Sequence, residues 1–139
     1  MPQALNPTTI PPDRGQCRTI DLGQKLAQLE SHWQPRVVAE MNDYQFKVVK
    51  VEGEFVWHRH AETDETFIVL EGELCIEFRG GPSGDGSIVL RAGQMGVVPK
   101  GLEHKPRAVA EGKLLLIEPR GVLNTGDLAK DDRTVENDQ

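Results

Sequence analysis

Three histidines and one glutamate offer this sequence its clearest chemistry. His58 and His60 sit two residues apart within the stretch from Gly53 to Gly72, and Glu65 follows after four more residues. Side chains alternate faces along a strand, so the spacing predicts His58 and His60 on one side, with Trp57 and Arg59 on the other. Two imidazoles on one face, met by a carboxylate from the next strand, make most of a metal site. The best candidate for a fourth donor is His104, downstream of Gly93, Pro99 and Gly101.

Something must hold these residues together, and the rest of the chain reads as short strands. RVVAEM, the turn residues Asn42 and Asp43, and then YQFKVVKVEGEF predict a hairpin. VWHRH, TFIVLEG, ELCIEF, SIVLRAG, QMGVVP, HKPRAV and KLLLIEP follow, separated by turns containing Gly and Pro. That pattern predicts an all-β sandwich or barrel. The glycine-rich GGPSGDG at 80–86 reads as a flexible hairpin loop. Ahead of the strands, DLGQKLAQLESHW places Leu22, Leu26, Leu29 and Trp33 at helical spacing. Asp21 is its expected N-cap and Gln24 its capping-box partner. The expected organisation is an N-terminal arm at 1–20, a short helix at 21–34, the barrel at 35–123 and a polar tail at 124–139. In TFIVL both faces are apolar, which predicts an outer cover for the barrel: the helix, or the second subunit of a homodimer.

Composition narrows the function. The 139 residues suffice for one domain with a core. A net charge of −6, without a basic patch interleaved with aromatics, speaks against nucleic acid as a partner. No apolar run approaches the ~20 residues of a membrane helix, and the N-terminus lacks the features of a secretory signal. Cys17 and Cys75 are the only cysteines, one in the arm and one in a strand, so no disulfide framework is expected. The expectation is a soluble, cytoplasmic protein.

The two histidine-bearing segments resemble the paired motifs of the cupin superfamily. His58, His60, Glu65 and Gly72 match the first motif, and Gly93, Pro99, Gly101 and His104 match the second. The resemblance covers roughly residues 45 to 118, and the flank LLLIEPRGVLNTGD is similar to that of small single-domain, RmlC-like cupins labelled mannose-6-phosphate isomerase-like. Two positions depart from the pattern. Four residues intervene between Gly53 and His58 where the motif has five, and Ala108 stands where the second motif usually has Asn. The resemblance implies a double-stranded β-helix, the jelly-roll barrel of cupins, with His58, His60, Glu65 and His104 as metal ligands. It also implies dioxygenase, isomerase, decarboxylase or lyase chemistry.

Three neutral imidazoles and one carboxylate suit Mn, Fe, Co, Ni, Cu or Zn, whereas Ca and Mg prefer oxygen sites. A divalent ion with one carboxylate keeps a net charge of +1, which favours an anionic, bidentate small-molecule ligand. Beside the four donors, Glu62, Asp64 and Glu103 are either acid/base groups or solvated loop carboxylates, and Lys100 is a cation at the expected mouth. Alternation points Lys105 and Arg107 away from the site, and it turns Glu54 and Val56 inward below His58. Phe67, Val69, Met95 or Val97 are candidate walls of a pocket; Tyr44 and Trp57 are candidates for its rim. His32 reads as structural, and Cys75, on the face of Glu73 and Glu77, as no catalytic thiol. Three functions fit: a metal-dependent enzyme on a small organic acid, sugar or carbonyl compound; a non-catalytic small-ligand binder; or a barrel merely braced by its metal.

Overall fold

The computed structural model describes residues 15–128 and 134–135. Among the described residues, one short helix, α1 (Leu22–Ala27), is followed by seven strands: β1 (Arg36–Met41), β2 (Tyr44–Glu54), β3 (Glu65–Glu71), β4 (Glu73–Gly81), β5 (Gly84–Arg91), β6 (Met95–Val98) and β7 (Glu103–Pro119). These strands pair antiparallel with one another, in the order β1-β2-β7-β3-β6, with β4 joined to β5 and β7. This is the expected jelly-roll barrel.

β7 closes the barrel. HKPRAV and KLLLIEP, expected as two strands, are one strand. Its first part pairs with β4 (Phe78 opposite His104) and its second with β3 (Thr66 opposite Ile117). The expected loop at 80–86 is almost entirely paired as well, since Gly81 faces Gly84 and leaves only a two-residue turn.

Alternation along β2 puts Gln45, Lys47, Val49 and Val51 inside and turns Phe46 and Val48 outward. The inner cluster fills the barrel with side chains such as Val51, Val69, Leu74, Ile76 and Leu114. A second cluster lies outside, where Leu26 and Leu29 of the N-terminal segment cover Val38 and Val48 and pack on Phe46, Leu70 and Leu115. Burying two leucines contributes roughly 3–6 kcal/mol, which explains how so short a helix stays docked. The outer cover of β3 is thus in part the helix.

Asp21 caps α1 as expected, its carboxylate accepting from the Gln24 N–H at 3.0 Å. The helix itself stops at Ala27 rather than reaching residue 34. Tertiary pairing overrides the helical spacing there. His32 forms a bridge with Lys50, and the Trp33 N–H donates to the Lys50 carbonyl at 2.8 Å. With φ of 63°, Trp33 turns away from the helix and stacks on Phe55, ring centroids 5.1 Å apart.

The inward positions before His58 also differ from expectation. The β2–β7 register shifts between Val51 and Gly53, and Gly53 adopts φ of 79°, a left-handed conformation that glycine tolerates best. The two extra residues lie on the β7 side, with Val51 opposite Gly112 and Gly53 opposite Ala108, so the chain keeps its parity through Phe55, which follows Val49 and Val51 inward. The parity changes only between Phe55 and His58, where the chain is outside any strand. Phe55 is buried while Glu54 is exposed and pairs with Lys105 at 3.0 Å. VWHRH is correspondingly not a strand but an irregular segment fixed by one bridge, His58 to His104.

Candidate metal centre

Each of the four expected donors arrives by a different route. His58 is held to β7 by a reciprocal backbone pair: its N–H donates to the His104 carbonyl at 3.0 Å, and the His104 N–H donates back at 2.9 Å. His60, two residues on, is anchored through its carbonyl, which accepts from the Gly101 N–H at 2.8 Å. Glu65 opens β3 and His104 lies near the start of β7, both facing inward. All four are buried, and one donor atom from each lies within 4.8 Å of the others.

The hydrogen bonds fix which atoms are available. Nδ1 of His58 lies 2.8 Å from the Val56 carbonyl, and Nδ1 of His104 lies 2.9 Å from the Leu102 carbonyl. A carbonyl only accepts, so each Nδ1 carries a proton and each Nε2 of a neutral ring keeps its lone pair. His60 Nε2, His104 Nε2 and Glu65 Oε1 are buried without a hydrogen-bond partner, although Glu65 Oε1 sits 3.3 Å from His60 Nε2 and 3.5 Å from His104 Nε2. Leaving such a group unsatisfied costs about 1–3 kcal/mol. Three converging orphans are what a cation would relieve. The cluster could therefore hold a metal ion.

Charge within the cluster points the same way. Burial, with the neighbouring His104, lowers the pKa of His58 from 6.5 to about 4. Burial alone would lower His60 too, but the adjoining Glu65 outweighs it and raises that pKa. Burial pushes Glu65 upward; His104 and His60 overcome this and hold it well below 4.5. Glu65 thus stays a carboxylate, the form a metal requires.

The other sequence candidates fall outside. Asp64 accepts from the Lys100 backbone N–H at 2.8 Å, and Glu103 pairs with Arg79 at 2.6 Å. Glu62 is exposed, as is Lys100. These carboxylates are loop and surface groups. Lys105 and Arg107 do point outward, both onto Glu77. Trp57 lies on that surface beneath Arg79, 4.0 Å from its ring centroid, and Tyr44 is exposed. Neither forms a rim. Phe67 and Val69 face the interior as expected, but Met95 and Val97 are 61% and 52% exposed. β6 presents Val98 inward instead, so the expected pocket wall from Met95 or Val97 is wrong. His32 is structural, 2.8 Å from Glu111, and Ala108 is buried in the core on the His104 face.

Sequence reasoning missed two features. One is a buried ion pair between Lys47 Nζ and Glu118 Oε1 at 2.7 Å. Burial, then the charge of Glu65, pushes Glu118 up to about 7 against the pull of Lys47. The signal was there: Lys47 shares parity with Val49 and Val51, and Glu118 with Leu114 and Leu116. The other is the segment after β7. Asn124 and Thr125 are buried, the Asn124 amide donates to the Trp33 carbonyl at 3.2 Å, and the Asp127 N–H donates to the Arg59 carbonyl at 3.0 Å. A Cβ on Gly126 would collide with the Arg59 carbonyl and lie 3.2 Å from the His58 ring. The segment therefore presses directly on the chain between the first two histidines.

An antiparallel jelly-roll barrel enclosing three imidazoles and one carboxylate defines a cupin. The Cupin_2 family model, described as a cupin domain, matches residues 45–120, and the chain belongs to that family. It is 60% identical to a cupin-2 domain-containing protein from Shewanella frigidimarina NCIMB 400, over 73% of this chain and 94% of that one, with a TM-score of 0.68. It is also 37% identical over 81 residues to the protein YdbB of Bacillus subtilis, 58% of this chain and 68% of that one. The fold is shared with hydroquinone 1,2-dioxygenase from Sphingomonas sp. TTNP3, at a TM-score of 0.66 and 23% identity, over 73% of this chain and 32% of the enzyme.

Proposed function

We propose that His58, His60, Glu65 and His104 bind one divalent first-row transition metal, and that the protein is a metal-dependent enzyme acting on a small organic acid, sugar or carbonyl compound. The observation that carries this reading is the convergence of four buried donors, three with an atom that has no hydrogen-bond partner and two, His58 and His104, with rings held in the ligand tautomer by backbone carbonyls. An ion held there would supply Lewis acidity or, if iron, the capacity to activate dioxygen. The protein's own contribution is positional: the carbonyls of Val56 and Leu102 orient two rings, while Phe67, Leu114 and Leu116 give the cavity beside His58 and Glu65 an apolar wall. A net +1 centre favours an anionic ligand.

The choice among reactions is narrowed by what lines the site. Besides His58 and Glu65, no titratable side chain lines the cavity at the cluster. The inner cavity thus has no separate proton carrier, and a protein base would have to come from Glu62 or Asp127 in the cleft beside His60, which favours reactions driven by the metal itself for any group held in the cavity. The same observation supports a second reading, a non-catalytic binder. A phosphosugar substrate has little support, because the only helix among the described residues is capped by the Asp21 carboxylate and offers no phosphate cradle. A homodimer is in keeping with the exposed Met95 and Val97, and a cytoplasmic site of action with free thiols at Cys17 and Cys75.

The test is elemental analysis of untagged protein beside His58→Ala. About one first-row metal per chain, absent from the variant, supports the centre and selects the assay: oxygen uptake for iron, isomerase and lyase substrates for zinc, manganese or nickel. No metal after reloading would overturn it. A ligand recovered chemically unchanged after incubation with the loaded protein would favour the binder.

A further inference from the structure

Two very different spaces adjoin the cluster. His58 and Glu65 form part of the wall of an inner cavity of about 30 Å³, whose other walls include Trp33, Phe55, Phe67 and Leu116. His60 instead borders an outer cleft of about 350 Å³, lined with Glu62, Arg120 and Asp127. The inner space is apolar and small; the outer is wide and mixed, with charged side chains beside apolar ones such as Val122 and Leu123.

The inner walls are fixed in place. Trp33 stacks on Phe55, and its indole N–H donates to the Glu52 carbonyl at 2.8 Å. Asn124, the one polar residue on the wall besides the two donors, is tied on both sides: its amide donates to Trp33, and its oxygen accepts from the Val135 N–H at 2.6 Å. A dry apolar cavity of about 150 Å³ accepts benzene. At 30 Å³ this one falls far short of an aromatic ring but has room for a group of about one or two carbons.

Resting on the metal-centre reading, we infer that the ligand of this site is a short aliphatic oxyacid or enolate whose methyl- or ethyl-sized group enters the cavity behind His58 and Glu65, and that phenolic ligands are excluded. The charged part of such a ligand belongs at the metal, and any polar remainder in the cleft beside His60. Wall rigidity makes the exclusion of rings a property of this chain's own packing, independent of which metal is bound.

The experiment uses the full chain loaded with Co(II), whose visible spectrum reports ligation, titrated with acetohydroxamate, propionohydroxamate, hexanohydroxamate and benzohydroxamate. These share one chelating head and differ only in the tail. The two short probes should bind about tenfold or more tightly than the long and aromatic ones, in line with the discrimination a packed pocket achieves. Phe67→Leu and Leu116→Ala, tested separately so that one folded variant suffices, should narrow the gap by admitting the ring. Benzohydroxamate binding as tightly as acetohydroxamate to Co(II)-loaded native protein would overturn this inference alone, placing the tail in the outer cleft. Failure to take up Co(II) at all would overturn the metal-centre reading and this inference with it.

Discussion

Glu65 and Glu118 occupy neighbouring inward positions on β3 and β7, one step beyond the Thr66–Ile117 pair, and both are buried. Their surroundings differ in one respect. Glu118 has a cation: Lys47 lies 2.7 Å away, and the two charges cancel. Glu65 has no lysine or arginine against it: its Oε1 faces imidazole nitrogens at 3.3 and 3.5 Å, and whenever the rings are neutral the cluster stands at −1. One barrel thus contains a buried carboxylate whose charge is answered, although its Oε2 has no hydrogen-bond partner, and one whose charge is not. Burial of charge alone does not mark a binding site. An uncompensated remainder does.

The comparison can be broken most sharply by removing a member of each cluster. His58→Ala or Glu65→Gln should abolish stoichiometric metal binding, read by elemental analysis. Chelator-treated Glu65→Gln protein should meanwhile unfold at the same or a higher temperature, because an uncompensated buried charge has been removed. Equal destabilisation of the metal-free form would erase the distinction between the clusters.

Lys47→Met should do the opposite. It leaves a buried carboxylate without its cation and should cost about 3–5 kcal/mol in urea unfolding. The double variant Lys47→Met, Glu118→Gln should recover most of that loss. If the single variant is as stable as the native protein, the ion pair holds nothing together.

A third effect separates the histidines from each other. In the metal-free protein His60 has a raised pKa and His58 one of about 4. Metal binding requires neutral rings, so affinity should be fully present well above the His60 value and fall as pH drops through it. The His60 proton alone contributes about tenfold per pH unit below its pKa. His58 should add to the slope only near pH 4. A competition titration against a chelator from pH 8 to 4 reads this directly; an affinity independent of pH above 5 would show that His60 is no ligand.

The smallest effect lies outside the barrel. Asp21→Ala removes the cap that satisfies the Gln24 N–H and should cost about 1 kcal/mol. Metal affinity should not change, since α1 packs on the outer cluster.

Much of this was legible in the residues. The strand from Glu65 to Glu71 shows its parity plainly, and the buried alternation of Glu65, Phe67 and Val69 follows it. The four donors could be assigned because their spacing in the chain is tied to their placement. The expected inward turn of Glu54 and Val56 failed for a local reason: counting back from His58 assumes one unbroken strand, but β2 ends at Glu54, and Phe55 keeps the inward parity of Val49 and Val51 before the irregular segment resets it at His58. Trp33 failed for a distant one. Its helical spacing from Leu29 is real, but backbone pairing with β2 and stacking on Phe55 outweigh a few tenths of a kcal/mol of helix propensity.

The sequence by itself determined the all-β class, the family motifs and the identity of the four converging residues, because strand alternation and turn chemistry are local. Only the tertiary structure decided which atoms of those residues are free, that Lys47 answers Glu118 across 71 residues of chain, and that the residues after β7 close against Trp33 and Arg59. Those depend on which groups become neighbours when β7 spans the barrel. No periodicity records the size of the space left between them.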